Sequence, residues 1–92
     1  MNTNTSGVIQ IVFDDNSLLS SLFGIADRNI HLLEKLNNVI INYKGNVVKI
    51  MGKKNSIEET KLTLQKLFED AKKGHEIDDI KIRDTKSFLK LS

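Results

Sequence analysis

The chain has 92 residues, 39% of them hydrophobic and 28% charged, values that fit one small globular domain and exclude a wholly disordered chain. Fourteen lysines and arginines against twelve aspartates and glutamates leave a net charge of +2, too small to hold a protein on DNA or RNA by bulk charge alone. The absence of cysteine excludes disulfides, thiolate zinc sites, iron–sulfur clusters and cysteine nucleophiles.

The chain shows no pattern of a targeting or membrane-spanning segment. Residues 1–7 are polar and lack the basic charge of a signal peptide, so we expect them to form a disordered tail. The longest apolar runs, such as residues 39–41, are far below the roughly 20 residues that span a bilayer. We therefore expect a cytoplasmic protein without a membrane partner.

A strand and two helices are predicted first. Residues 8–13 are rich in β-branched residues and alternate as a half-buried strand does. Residues 14–16 supply side-chain oxygens that suit the start of a helix, and the short helix that follows ends at Gly24. A second helix is predicted to begin near Asp27, because a carboxylate suits a helix N-terminus.

A β-hairpin and a long helix follow. Residues 39–44 and 47–51 are strand-like, and Gly45-Asn46 between them suits a tight turn. Strand alternation places Tyr43 on the core face. The long helix is predicted from Ser56 to Lys73, with Ser56 as its N-cap in a capping box, and Leu62 falls outside its apolar stripe.

These elements predict the fold class and the domain boundaries. We expect an α+β two-layer sandwich in the order β-α-α-β-β-α, with a three-stranded sheet covered on one face by three helices. The folded domain is predicted to span residues 8–74. Residues 75–92, with spaced isoleucines and mixed charge, are predicted to be a linker with a short strand.

Catalytic and metal sites are poorly supported. The two histidines, His31 and His75, lack the i, i+4 spacing of helical metal sites. The acidic pairs consist of neighbouring residues, whose side chains point in different directions and cannot act together on one substrate. Gly52-Lys53-Lys54 lacks both the upstream glycine and the Ser or Thr of a P-loop. We therefore expect no catalytic residue, no metal ligand and no cofactor in this chain.

A composite pattern resembles a KH domain, in which a Gly-x-x-Gly loop between two helices grips a single-stranded nucleic acid backbone. The segment FGIADRNI at residues 23–30 matches the interhelical loop, with Gly24 as its first glycine. Val48, Ile50 and Gly52 match the strand that follows the hairpin turn. The resemblance implies a type I KH-like fold.

A narrower resemblance covers residues 9–74. The segments FDDN at residues 13–16, LFGIADRN at residues 22–29 and KGN at residues 44–46 are similar to the N-terminal domain of the bacterial PhoH-like, phosphate starvation-inducible proteins. The resemblance implies that a P-loop ATPase domain linked to RNA metabolism follows this domain, and that ATP and Mg²⁺ bind only there. The chain is then an accessory domain without activity of its own, and oligomers would belong to the full-length protein.

Two departures from the KH pattern bear on function. Asp27 replaces the second loop glycine, and its charge would repel a phosphate by about 1 kcal/mol at ~4 Å in water. The hairpin loop, which usually forms one wall of the binding groove, is reduced to Gly45-Asn46.

Two functions remain open. The first is binding of single-stranded RNA. In this case the domain has two partners, the RNA and the P-loop ATPase domain of the same protein. The second is assembly, in which the open sheet face, Leu62 and the C-terminal segment pack on the ATPase ring or on further copies. The predicted RNA-binding residues are the loop residues Gly24, Ile25, Ala26, Asp27, Arg28 and Asn29 and the basic residues Lys35, Lys44, Lys49, Lys53 and Lys54.

Overall fold

Three strands form the sheet in the computed structural model, which describes residues 6–91. They are β1 (Ser6–Val12), β2 (Ile40–Lys44) and β3 (Val47–Lys53), and β3 lies in the centre, antiparallel to both neighbours. Gly45 adopts a φ of 58° in the turn between β2 and β3, which confirms the predicted hairpin. Strand β1 begins two residues earlier than expected, and residues 1–5 of the predicted tail lie outside the described residues.

Four helices accompany the sheet. They are α1 (Leu19–Phe23), α2 (Arg28–Asn37), α3 (Lys54–Lys72) and α4 (Asp79–Leu91). The α+β class and the three-stranded antiparallel sheet are therefore confirmed. The prediction of three helices is wrong, because α4 forms in the segment that was expected to be a linker with a short strand.

The helix starts follow the predicted caps in one case and depart from them in another. Asp15 accepts a hydrogen bond from the Ser17 N–H at 3.0 Å in the 3₁₀ turn before α1, as a capping aspartate does. The predicted capping box at Ser56 is wrong, because α3 begins at Lys54 directly after β3 and Ser56 lies inside its first turn. There the Ser56 carbonyl accepts the Thr60 hydroxyl at 2.7 Å.

The core lies between the helices and one face of the sheet. Its most deeply buried strand residues are Val48 and Ile50, each with 0% of its surface exposed. Helix α3 packs against β1 and β3, and α2 against β2. Leu62 on α3 is 51% exposed, as its position outside the apolar stripe predicts.

Helix α4 belongs to this core. Ile77 and Ile82 are buried among the core residues, and α4 packs against both α2 and α3. Asp78 accepts a hydrogen bond from the Lys81 N–H at 2.8 Å, which satisfies an amide of the first helical turn. The folded domain therefore extends beyond Gly74, because the apolar surface of α2 and α3 is completed by residues that follow it.

Two lysines of α4 also join this helix to the rest of the domain through polar contacts. Lys86 of α4 donates to Glu59 of α3 at 2.8 Å and to the buried Asn37 of α2. Lys81 of α4 lies 3.2 Å from the carboxylate of Asp70 on α3, which is itself buried. These contacts pair the charged groups that α4 brings to the core surface.

Low pH is expected to weaken this contact between α3 and α4, because it protonates the Asp70 carboxylate. Burial raises the pKa of Asp70, but hydrogen bonds and charge from Lys66 and Lys81 outweigh it and leave the pKa below 3.8. A carboxyl whose pKa is lower in the folded than in the unfolded state stabilises the fold above its unfolded pKa. That contribution is lost as the pH falls below about 3.8 and through the folded value.

The measurement is the free energy of unfolding as a function of pH for the wild type and for Asp70→Asn. The variant is expected to be less stable at pH 7 by about 1–3 kcal/mol, because two lysines lose a charged partner. The difference between the two proteins should shrink towards pH 2. A difference that stays constant over this range would contradict the proposed role of the Asp70 carboxylate.

Candidate nucleic-acid interface

The loop between α1 and α2 contains three residues with positive φ. Helix α1 ends at Gly24, which has a φ of 81°, and its N–H donates to the Ser20 carbonyl at 3.0 Å. Ala26 and Asp27 follow with φ values of 52° and 58°. A Cβ at Gly24 would lie 2.8 Å from the Asn29 Nδ2 atom, so both the conformation and the available space require glycine there.

The buried side chain of Asn29 supports this loop. Its side chain is only 3% exposed, and its Nδ2 group donates to the Leu22 carbonyl at 3.1 Å and to the Ile77 carbonyl at 3.0 Å. The bonds tie the start of α2 to the end of α1 and to the segment before α4. Of the predicted loop contacts, Asn29 is therefore placed as an internal support, whereas Ile25 is 81% exposed and Arg28 is exposed.

Asp27 faces the edge of the sheet. The Tyr43 hydroxyl of β2 donates to its two carboxylate oxygens, at 2.7 and 2.9 Å. The Tyr43 ring lies against Phe23 with centroids 4.2 Å apart, so the side chain is on the core face as predicted, although 41% of it remains exposed. The hydrogen bond to Asp27 raises the pKa of Tyr43 above its ordinary value. Asp27 stands at the N-cap position of α2 but makes no side-chain capping bond.

The predicted lysines do not form one surface with the loop. Lys44 and Lys49 lie on the sheet face that the helices leave open, the opposite face from Tyr43. Lys53 and Lys54 lie at the junction of β3 and α3. Val48, which pairs with Tyr43, is about 17 Å away along β3. Lys35 is exposed on α2, seven residues after Arg28 and therefore on the same side of the helix.

The open sheet face carries its own pattern. Strand register places Val8, Met51 and Ile40 in one row, and Val12, Val47 and Lys44 in another, with Gln10, Lys49 and Asn42 between the two rows. Val8, Val12 and Ile40 are each more than half exposed. Lys53, paired with Ser6, continues the same face at its far end. Five of the nine side chains in the three rows are therefore apolar, and the ionisable ones on this face of the described strands are Lys44, Lys49 and Lys53.

Comparison of the chain with protein-family models, with curated proteins and with solved structures found no match. Across residues 6–91 no helix is long and apolar enough to cross a membrane. The same part of the chain contains no group of three or more histidine, cysteine, aspartate or glutamate side chains placed to hold a metal ion. The interhelical loop and the open sheet face are the two surfaces on which a functional argument rests.

Proposed function

We propose that this domain is a KH-like accessory module of a PhoH-like ATP-binding protein, and that it contacts single-stranded RNA with the loop between α1 and α2. The order of elements supports this. From β1 to α3 the chain forms a strand, two helices, two strands and a helix, which is the order of a type I KH fold. Helix α4 is an addition to that order. ATP and Mg²⁺ would belong to a separate P-loop domain, and this domain would present RNA to it.

The observation that carries the proposal is an exposed loop whose backbone is held in place at both ends. Gly24 and Asn29 fix the backbone between the helices, while Ile25 and Arg28 extend into solvent. A preorganised loop loses little entropy when a ligand binds, which favours binding through it. The cation at Arg28 supplies the attraction for phosphate, and the exposed Ile25 supplies apolar area for a base or sugar.

Asp27 sets the strength of this contact. Its charge stands where a KH loop has glycine, and the Tyr43 hydroxyl bonds both of its oxygens. The carboxylate therefore keeps its place beside the loop and weakens phosphate binding through like-charge repulsion. Binding by the isolated domain should be weak and salt-dependent for this reason.

The direct test is titration of isotope-labelled protein with short single-stranded RNA at low and moderate salt. Shifts of the amide resonances centred on residues 24–29 that fade as salt is added would support RNA contact at the loop. Residues 53 and 54 provide an internal reference, because they lie at the far end of the sheet. Absence of loop shifts at a tenfold excess of RNA would overturn the proposal.

Asp27→Gly is expected to strengthen RNA binding about fivefold at low salt, because it removes roughly 1 kcal/mol of phosphate repulsion. Glycine also fits the positive φ at this position and lets a phosphate approach the backbone. Asp27→Asn is the matched control, since asparagine tolerates the same φ and removes only the charge. A gain with both variants identifies the charge as the cause, and a gain with glycine alone identifies backbone access.

Unchanged RNA affinity in both folded variants would show that the loop is not the contact surface. Folding of each variant is checked by its thermal midpoint, since loss of the Tyr43 hydrogen bond lowers stability independently of RNA. Affinity is therefore compared below the midpoint of the less stable variant.

A second candidate function, assembly, is favoured by the open sheet face. Five of the nine side chains in its three rows are apolar and lie in two clusters on either side of the polar row, and exposed apolar area of this kind is typical of protein interfaces. The occupant would be the P-loop domain of the same protein or a further copy. Protection of Val8, Val12 and Ile40 amides from hydrogen exchange on adding the P-loop domain, without any loop shift on adding RNA, would favour assembly over RNA binding.

A further inference from the structure

Two arginines from distant parts of the chain line one surface cleft. Arg28 at the start of α2 and Arg83 of α4 border a cleft of about 400 Å³, together with Asn29, Leu32 and Asp79. They are the only arginines in the sequence, in which twelve other basic residues are lysines. Both side chains are exposed. Sequence reasoning missed Arg83 because its segment was expected to be a linker.

Neither guanidinium forms an ion pair within residues 6–91. Among the described residues no carboxylate lies within ion-pairing distance of Arg28 or Arg83, although Asp79 borders the same cleft. Lys81 and Lys86 of the same helix, by contrast, are each paired with a carboxylate of α3. The two arginines therefore leave a net charge of +1 in the cleft after Asp79 is counted.

The helix ends around the cleft add to this charge. Asn29 at the start of α2 bonds the Ile77 carbonyl just before α4, so the N-termini of the two helices lie side by side. Lys86, in the second half of α4, donates to Asn37 at the end of α2, so the helices run in the same direction. The first turns of both helices therefore border the cleft, where their N-terminal N–H groups favour an anion, and the carboxylates of Asp27 and Asp78 at the two helix starts offset part of this attraction.

We propose that the cleft between Arg28 and Arg83 binds a phosphate of the RNA backbone, so that α4 extends the RNA surface beyond the interhelical loop. This inference rests on the proposed RNA-binding function. Arginine suits the role because its planar guanidinium donates two parallel hydrogen bonds to phosphate oxygens. Arg28 adjoins the loop directly, so one strand that crosses the loop reaches the cleft next, and Lys35 continues the same side of α2.

The test compares the RNA affinity of Arg83→Gln with that of Lys53→Gln over a range of salt concentrations. Both variants lose one positive charge, but Lys53 lies at the far end of the sheet and reports the effect of net charge alone. Arg83→Gln is expected to weaken binding about threefold to fivefold at low salt. It should also reduce the slope of log affinity against log salt by about 0.7, the value for one phosphate on a single strand.

Two further variants sharpen the assignment. Arg83→Lys keeps the charge but not the paired hydrogen bonds, so it should retain the salt slope and recover only part of the affinity. Asp79→Asn removes the one carboxylate in the cleft and should strengthen binding by a similar factor. Both substitutions are on the exposed side of α4 and leave its buried residues unchanged.

The outcomes separate this inference from the function on which it rests. If RNA shifts the loop resonances but Arg83→Gln and Lys53→Gln weaken binding equally, the cleft is not a phosphate site and the loop proposal stands. If RNA causes no loop shifts in the wild type, the proposed function fails and the cleft proposal fails with it. A larger loss with Arg83→Gln and the expected change in slope support both.

Discussion

A chain that ends at Gly74 is expected to lose about 3–6 kcal/mol of its free energy of unfolding, since burial of a side chain such as Ile77 or Ile82 contributes roughly 1.5–3 kcal/mol. Both isoleucines are buried in the core, with 6% and 0% of their surfaces exposed. A small domain has a total stability of only about 5–15 kcal/mol. The shortened chain should therefore unfold at a clearly lower urea concentration than the 92-residue chain.

The loss of hydrogen-bond partners acts in the same direction. Without the C-terminal segment, the buried Asn29 loses the Ile77 carbonyl, and Asp70 loses Lys81. Glu59 and Asn37 lose Lys86 as well. Polar groups that remain shielded from water without a partner are costly, so truncation should also disturb the loop that Asn29 supports.

A matched pair of substitutions tests the same point in the 92-residue chain. Ile82→Ala should destabilise by about 2–5 kcal/mol because Ile82 is fully buried, whereas Ile80→Ala, at a position 64% exposed, should have little effect. Urea unfolding gives both values. Equal stability of the two variants, or a truncated chain as stable as the wild type, would show that α4 is not part of the folded domain.

The hairpin shows what the sequence was able to predict. Its strands combine β-branched residues with a period of two, and Gly45 permits the positive φ that the turn requires. These signals are local, and local signals are the ones that a single sequence carries most clearly. The predicted start of α3 at Ser56 is wrong, because Ser56 has the chemistry of a cap, whereas β3 continues into the helix at Lys54 without an intervening loop.

Helix α4 was missed because its apolar positions are spaced ambiguously. Ile77, Ile80 and Ile82 do not follow one helical face, and the structure resolves them by burying the first and last and exposing Ile80. The usable signal was Asp78, which caps the Lys81 amide and marks a helix start. The mixed charge of residues 75–92 favours a linker and obscures this signal.

The arrangement of the candidate site depends on contacts between distant residues. Asp27 and Tyr43 are separated by 16 positions, and their hydrogen bond follows from how β2 is placed beside the loop. Arg28 and Arg83 line the same cleft because α4 packs beside α2. The sequence predicted the loop and its charge, but tertiary packing determines which lysines adjoin it and which lie on other surfaces.

Leu64→Ala is expected to be among the most damaging single substitutions in α3. Leu64 is 1% exposed, and it lies on α3, which packs against β1, β3, α1, α2 and α4. Replacement of a buried leucine by alanine costs about 2–5 kcal/mol through lost burial and the cavity that remains. For a domain of this size, that corresponds to a decrease of roughly 10–30 °C in thermal midpoint.

Leu62→Ala is the control for this substitution, since it makes the same chemical change two residues earlier on the same helix, at a side chain 51% exposed. Its thermal midpoint should stay within a few degrees of the wild type, because exposed positions contribute about 0.5 kcal/mol or less. Differential scanning calorimetry of the two variants decides between a buried and an exposed role. A larger decrease for Leu62→Ala than for Leu64→Ala would mean that α3 presents the opposite face to the sheet, and the position of the interhelical loop above β2 would then have to be assigned again.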